Sequence, residues 1–169
     1  MNRRQPTQSS DPSISGRSSA NRGGPAEAAL RESEVRYRRL FETARDGILI
    51  LDAQTGQITE VNPFLCELLG YSRAELLGKE LWEIGVFEDE AASRAAFEHL
   101  QQTGYDRHED LPLKTRGKGR VEVEFVSNVY QAGEKTVIQC NIRDITDRVR
   151  MQREITGSKW HGVSGRTRN

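Results

Sequence analysis

Apolar residues are most concentrated between positions 46 and 72, where their spacing predicts a β-hairpin followed by a short helix. The hairpin consists of a strand over residues 47–51, a turn over 52–56 and a strand over 57–61. Asn62 and Pro63 then predict a helix start, because Asn accepts a hydrogen bond from an orphan amide and proline suits the first helical position. Gly70 predicts the end of that helix.

A longer amphipathic segment precedes the hairpin and predicts a lead-in helix over residues 26–45. Four of its apolar side chains fall on one helical face: Leu30, Tyr37, Leu40 and Phe41. A stripe this narrow suits packing on a sheet or pairing with a second copy of the same helix. We expect the lead-in helix to do both.

Two more helices are predicted downstream of the hairpin. Ser72 and Glu75 have capping-box spacing, and Gly78 can close the short helix that they begin. Residues 87–103 form the clearest helix after the lead-in, because acidic residues occupy the first turn and Gly104 follows as a stop.

Three strands follow, over residues 105–115, 120–130 and 135–145. Pro112 places the first of them near an edge or a bulge, since proline cannot donate to a sheet ladder. The second alternates Val121, Val123 and Phe125 against Glu122, Glu124 and Val126. The predicted fold class is α+β, with a five-stranded antiparallel sheet and several short helices.

Composition indicates that both ends of the chain lie outside this domain. The chain is 35% hydrophobic and 30% charged, and residues 1–25 are almost entirely polar, which predicts a disordered tail. Residues 148–169 predict a short output helix, stopped by Gly157, and then a disordered basic tail. The formal net charge is zero, which disfavours nucleic acid as a partner; the basic ends are interpreted as solvated tails.

Other sequence features limit which cellular compartment and which chemistry can be expected for this chain. Apolar runs are too short to span a bilayer or to form a signal peptide, so we expect a cytoplasmic protein without a membrane partner. Cys66 and Cys140 lack metal-ligand spacing, and no metal site is expected. A phosphate loop and a nucleophile with its base are also missing, so the chain by itself is not predicted to be an enzyme.

Two segments together resemble the PAS family (the PAS/PAC sensory box of bacterial sensor histidine kinases). DGILILD, a glycine turn, ITEVN, a helix ending in LLGYS and the run RAELLGK are similar to the first half of a PAS domain. IQCNIRDITDR is similar to the closing segment of the family. The resemblance covers roughly residues 37–148, and it departs from many relatives over Ala44, Arg45 and Asp46, where they have a proline before the Asp.

The resemblance implies a PAS domain over residues 46–147, with short helices cupped over one face of the sheet and the lead-in helix on the other. The cup is the usual ligand or cofactor site of the family. By register against the family, Val121, Val123 and Phe125 face the lead-in helix. The implied cup-lining residues are Asn62, Cys66, Trp82, Glu122, Glu124, Ile138, Cys140 and Ile142.

Each polar member of this set has two interpretations. Glu122 and Glu124 can recognise a ligand donor or bond to helix amides, because a buried carboxylate must be paired, hydrogen-bonded or protonated. Asn62 can be a helix cap and Trp82 a core residue. The two cysteines can be a redox pair or small core residues.

Two known cofactor types of the family are not supported by this sequence. Leu81 stands where light-sensing relatives carry the reactive cysteine, which argues against a flavin photoadduct. Haem-binding relatives use a histidine early on the long helix, whereas here residues 88–94 contain none and His99 lies near the helix end. The cofactor, if any, is left unknown.

Asp144 and Thr146 occupy the junction between the last strand and the output helix, where the resemblance implies signal relay as well as helix capping. The expected function is a dimeric sensory or relay module of a two-component system, with a kinase or transcription regulator as partner. Two alternatives stay open: a small-molecule receptor that acts without a kinase, and a truncated N-terminal fragment of a sensor histidine kinase.

Overall fold

A computed structural model of the protein describes residues 24–160. Residues 1–23 of the predicted N-terminal tail and 161–169 of the basic tail lie outside the described residues. The helices are α1 Pro25–Thr43, α2 Pro63–Leu69, α3 Arg73–Leu76, α4 Glu90–Thr103 and α5 Thr146–Trp160. The strands are β1 Gly47–Asp52, β2 Ile58–Val61, β3 Tyr105–Thr115, β4 Gly119–Ala132 and β5 Lys135–Asp144.

The chain divides into two compact units, the first ending at Val35 and the second beginning at Arg36. The described part of the first unit is helical from Pro25 onward. The second unit contains the end of α1 and the complete sheet. The lead-in helix is therefore confirmed as an element, and α1 as a whole buries none of its residues.

The five strands form one sheet in the order β2-β1-β5-β4-β3, and every neighbouring pair is antiparallel. This confirms the predicted α+β class. Strand β3 lies at an edge, and its register shifts between His108 and Leu111, where Asp110 has a φ of 56°. Both consequences expected from Pro112 are therefore present.

Asn62 ties the hairpin to both neighbouring helices, although its side chain is fully buried. Its Oδ1 accepts hydrogen bonds from the amides of Leu65 (3.1 Å) and Ile48 (2.9 Å). Its Nδ2 donates to the carbonyls of Phe41 (3.2 Å) and Asp46 (3.0 Å). The predicted helix cap is confirmed, and four bonds saturate the side-chain amide.

Gly70 ends α2 in the left-handed conformation, with a φ of 77°. A Cβ at this position would lie 2.2 Å from the carbonyl oxygen of Arg116, so only glycine fits. The close approach lets the Arg116 amide donate to the carbonyl of Leu69 at 2.8 Å, which holds the end of β3 against α2.

Two predicted helix boundaries are corrected. Helix α4 begins at Glu90 rather than near residue 87, because the Asp89 side chain caps the Ala92 amide at 3.0 Å. The prediction that Gly157 stops the output helix is wrong, since α5 continues to Trp160. A glycine inside a helix costs only about 1 kcal/mol relative to alanine, which is too little to end the helix by itself.

The hydrophobic core lies on one face of the sheet, beneath α2, α3 and α4. We call this the cup face and the opposite side the outer face. The cup face is marked by the buried side chains of Leu49, Leu51, Val123, Phe125, Ile138, Cys140 and Ile142.

A cavity between the sheet and helix α4

The apolar residues of strand β4 face the cup, and its glutamates do not. Phe125 is paired directly with Ile142, and paired residues of neighbouring strands share a face. Val123 and Phe125 are 0% and 6% exposed and belong to the core under the helices. The predicted register, with Glu122 and Glu124 in the cup, is therefore wrong. The covered face takes the apolar set, because only there can those side chains leave water.

The two glutamates lie on the outer face among arginines. Glu124 contacts Arg107 and lies 4.0 Å from Arg143. Glu122 lies 3.4 Å from Arg120 and 3.8 Å from Arg153. Their side chains are only 12% and 11% exposed. Nearly buried carboxylates require such partners, so these residues serve the fold and not the cavity.

A cavity of about 360 Å³ lies between α4 and the cup face. Most of its wall is apolar, which is typical of small-molecule sites of this size. Phe87 and Phe125 meet edge to face, with ring centroids 6.0 Å apart. The apolar wall residues are Leu51, Leu81, Phe87, Ala92, Ala96, Phe97, Leu100, Leu111, Pro112 and Phe125.

Polar groups enter the cavity from the strands and from the start of α4. Asp106, Ser127 and Cys140 line the cavity and form one row across β3, β4 and β5, each paired with the next. The Ser127 hydroxyl donates to the Cys140 Sγ at 3.3 Å. His108 Nε2 lies 2.8 Å from the Asp106 Oδ2. The remaining polar wall residues are Glu88, Asp89 and Ser93.

Cys140 is the one residue of the predicted cup-lining set that reaches the wall of this cavity. Complete burial raises its pKa to about 12, so the thiol is neutral and unreactive at physiological pH. Cys66 is half-buried on α2, off the cavity wall, and burial raises its pKa as well. Both cysteines are free thiols.

The other predicted cup residues take structural positions. Ile138 and Ile142 lie in the core of the cup face, and Asn62 is saturated as a cap. Trp82 packs edge to face on Phe97, with ring centroids 5.2 Å apart. Phe97 lines the cavity, whereas Trp82 lies behind it and does not. The Arg94 guanidinium carbon lies over the indole, 5.0 Å from the ring centroid. Within residues 24–160, the Trp82 Nε1 has no hydrogen-bond acceptor.

Asp144 and Thr146 connect β5, β4 and α5. The Asp144 Oδ1 accepts a hydrogen bond from the Thr146 amide at 2.9 Å. The Thr146 Oγ1 accepts from the Glu122 amide at 3.1 Å, and the Ile145 amide donates to the Glu122 carbonyl at 2.9 Å. The first turn of α5 is therefore fastened to strand β4.

The apolar stripe of α1 is largely exposed. The exposed fractions of Leu30, Tyr37 and Leu40 are 68%, 51% and 67%. Tyr37 stacks on the half-buried Phe41 with centroids 5.8 Å apart, and its hydroxyl lies 3.4 Å from the Glu60 Oε2. Burial, followed by the Glu60 charge, raises the Tyr37 pKa.

Sequence reasoning missed Asp106, His108 and Ser127 as cavity residues. The segment DRHED is polar at every position, so it has no apolar alternation to show which side chains face the covered side, and the bulge after His108 shifts the register beyond it. Ser127 falls on the same face of β4 as Val121, Val123 and Phe125. This alternation would have placed Ser127 in the cup if that set had been assigned to the covered face.

A five-stranded antiparallel sheet with short helices over a cavity on one face defines a small α+β domain. The family model of the PAS fold matches residues 36–145. The chain belongs to the PAS family. The matched region is a sensory module rather than a catalytic one.

Solved structures and a curated sensor protein are similar to this chain. The PAS domain of an HTR-like protein from Haloarcula marismortui is 28% identical, with a TM-score of 0.62 over 71% of this chain and 98% of that one. A domain of a sensory box sensor histidine kinase/response regulator from Geobacter sulfurreducens is 32% identical, with a TM-score of 0.56 over 68% of this chain and 96% of that one. The methyl sulfide methyltransferase-associated sensor of Methanosarcina acetivorans is 28% identical over 80% of this chain.

The chain spans only 14–18% of the length of the curated relatives that it matches. Among the described residues, none of the helices is long and apolar enough to cross a membrane. In the same part of the chain, histidine, cysteine and acidic side chains form no group arranged to hold a metal ion.

Proposed function

We propose that this chain is a cytoplasmic sensory module that binds a small molecule in the α4 cavity and relays the change through α5. One observation carries the proposal: two of the strands that line the cavity, β4 and β5, also hold the first turn of α5. Phe125, Ser127 and Cys140 reach the cavity from β4 and β5. At one end of the same strands, Glu122 holds Thr146.

The geometry supports a short mechanical path. A ligand that displaces Phe125 or Ser127 would shift β4 against β5, and the bonds between Glu122 and Thr146 would change in length or break. A second link lies about two turns further along α5, where Arg153 approaches the Glu122 carboxylate to 3.8 Å. A relay of this kind requires an element with two arrangements that the ligand biases.

The similar proteins suggest the kind of partner. One is part of a sensor histidine kinase/response regulator and another is a sensor protein. We therefore propose a histidine kinase or a transcription regulator as the recipient of the signal. We also propose that two copies pair through the exposed stripe of α1, because Leu30, Tyr37 and Leu40 offer water-exposed apolar area that a second helix would cover.

Native mass spectrometry of the purified full chain tests ligand binding and pairing together. Ala96→Phe fills the cavity from α4, and Ala95→Phe is the matched control, since Ala95 lies on the exposed side of that helix, off the cavity wall. We expect a dimer with a bound small molecule for the wild type and for Ala95→Phe, and a ligand-free protein for Ala96→Phe. Equal ligand occupancy in all three proteins would overturn the binding site, and a monomer at tens of micromolar would overturn the pairing.

The same cavity also suits a receptor that acts without a kinase. Hydrogen exchange of the α5 amides separates the two functions. If filling the cavity with Ala96→Phe changes protection in α5, the relay is supported. If α5 protection stays at the wild-type level, binding is not transmitted through this helix.

A further inference from the structure

We propose that the ligand of this cavity carries a protonated amine on an apolar body. This inference rests on the proposed function, since it concerns the same cavity. It follows from the charges on the wall, from the position of one buried hydroxyl and from the aromatic lining.

The polar part of the wall is acidic. Glu88, Asp89 and Asp106 line the cavity, and His108 is the only side chain on the wall, among the residues described, that can carry a positive charge. Arg120 lies 3.5 Å from Glu88 and offsets one of these charges from outside the wall. An anionic ligand would face the remaining carboxylates in a partly dry site, which is unfavourable.

Asp106 is the carboxylate best placed to meet a cation inside the cavity. It lies on the cup face, opposite Ser127. Its Oδ1 accepts from the Arg107 amide at 2.8 Å, and its Oδ2 lies beside His108. The Arg107 guanidinium itself turns to the outer face, where it contacts Glu124, and so does not neutralise Asp106 from within.

Ser127 supplies a buried acceptor next to this carboxylate. Its side chain lines the cavity, and the residue is 3% exposed. Because the hydroxyl proton is donated to the Cys140 Sγ, the oxygen keeps lone pairs that can accept. A carboxylate and a hydroxyl oxygen in one cross-strand row suit the several N–H donors of an ammonium group better than a carboxylate or phosphate ligand.

The rest of the cavity favours an apolar body attached to that amine. Phe87, Phe97 and Phe125 line it, together with Leu111 from β3. Aromatic rings provide a large apolar contact area and prefer edge-to-face partners. A volume of about 360 Å³ accommodates a phenyl ring on a short alkyl chain.

Three probes share that body and differ only in the head group: 4-phenylbutylamine, 4-phenylbutan-1-ol and 4-phenylbutyrate. Titration calorimetry of the full chain at pH 7 measures each Kd. We expect the amine to bind at least about tenfold more tightly than the alcohol, because the ammonium group adds a positive charge opposite the partly buried carboxylate, whereas the alcohol donates a hydrogen bond to it without a charge of its own. The carboxylate probe should bind most weakly.

Asp106→Asn removes the charge at nearly constant shape. It should weaken amine binding about tenfold and leave alcohol binding within about twofold. Glu98→Gln is the matched control, since Glu98 lies on α4 but off the cavity wall, and it should change neither. Ser127→Ala is a second variant that leaves the charge in place, and it should weaken amine binding by a smaller factor than Asp106→Asn does. Amide NMR spectra establish that each variant is folded.

The outcomes separate this inference from the proposed function. If the alcohol binds as tightly as the amine, or if Asp106→Asn keeps full amine affinity, the amine preference is wrong while the cavity remains a binding site. If none of the three probes binds and the Ala96→Phe variant also retains wild-type ligand occupancy, both the inference and the proposed binding site are wrong.

Discussion

The cup face and the outer face of the sheet handle polar residues in different ways. On the outer face, Glu122 and Glu124 are nearly buried, and each approaches two arginines. On the cup face, Asp106 and Ser127 stand at the wall of a cavity among aromatic side chains. Each glutamate on the outer face is thus matched by two arginines, whereas Asp106 on the cup face has His108 as its ionisable partner and lines space that a ligand can occupy.

This difference shows that burial alone does not identify a binding residue. Glu124 is the more buried carboxylate, with a side chain 12% exposed against 23% for Asp106. Its arginine partners nevertheless leave it little capacity for a ligand. Where a polar side chain points, and what already binds it, decides its role.

The largest expected effect is on the free energy of unfolding, and it distinguishes two adjacent residues of β4 that lie on opposite faces. Phe125→Ala should lower the free energy of unfolding by about 3–5 kcal/mol, because it removes a core aromatic ring. Glu124→Gln should lower it by less than about 1 kcal/mol, because its arginine partners are themselves solvated. Urea unfolding of both variants measures the difference. Similar values for the two would mean that the faces are not distinct as described.

Asn62→Ala comes next and concerns a residue that belongs to neither face. We expect a loss of about 2–3 kcal/mol, since the cap and three further backbone partners would lose their bonds at a fully buried position. Asn128→Ala on β4 is a control for the chemistry of the substitution. The same urea experiment applies, and a loss below about 0.5 kcal/mol would contradict the four-bond geometry.

Thr146→Val tests the connection between the sheet and α5. Replacing the hydroxyl by a methyl group should lower stability by only about 1 kcal/mol, the usual contribution of a lost hydrogen bond. It should also remove the response of α5 hydrogen exchange to Ala96→Phe. Thr156→Val, further along α5, is the control. A response that survives in Thr146→Val would show that the signal does not pass through this junction.

The smallest effect belongs to an exposed ion pair and depends on pH. The hydrogen bond from Arg116, followed by those from the amide and hydroxyl of Ser72, lowers the pKa of Glu75 from 4.5 to about 2. The folded-state pKa lies below the unfolded value, so this stabilisation is present above about pH 4.5 and is lost as the pH falls toward 2. The Tm difference between wild type and Glu75→Gln should therefore shrink over that interval. A Tm difference for Glu75→Gln that stays constant over this pH interval would contradict the assignment.

Features encoded by neighbouring residues could be predicted from the sequence. Asn62 with Pro63, the capping box of Ser72 and Glu75, and the left-handed Gly70 all act within one turn of helix, and the structure contains each of them. The bounds of β3 were also predicted, since the bulge changes its pairing without ending the strand.

Features that depend on distant packing could not be predicted. The alternation of β4 defines two faces but does not tell which of them the helices cover, and this is why Glu122 and Glu124 were misplaced. The role of Asp106 depends on its pairing with Ser127, 21 positions away, across a bulged ladder. Gly157 shows the opposite error, a local signal too weak to end a helix.

The most direct test of the account locates a bound ligand relative to the sheet. Isotope-filtered nuclear Overhauser measurements on the labelled full chain with 4-phenylbutylamine report which side chains touch the phenyl ring. The account predicts contacts with Ala96, Leu111 and Phe125, on the cavity wall. Contacts with Val126 or Tyr130, whose positions on β4 alternate with Phe125 and so lie on the outer face, would contradict it.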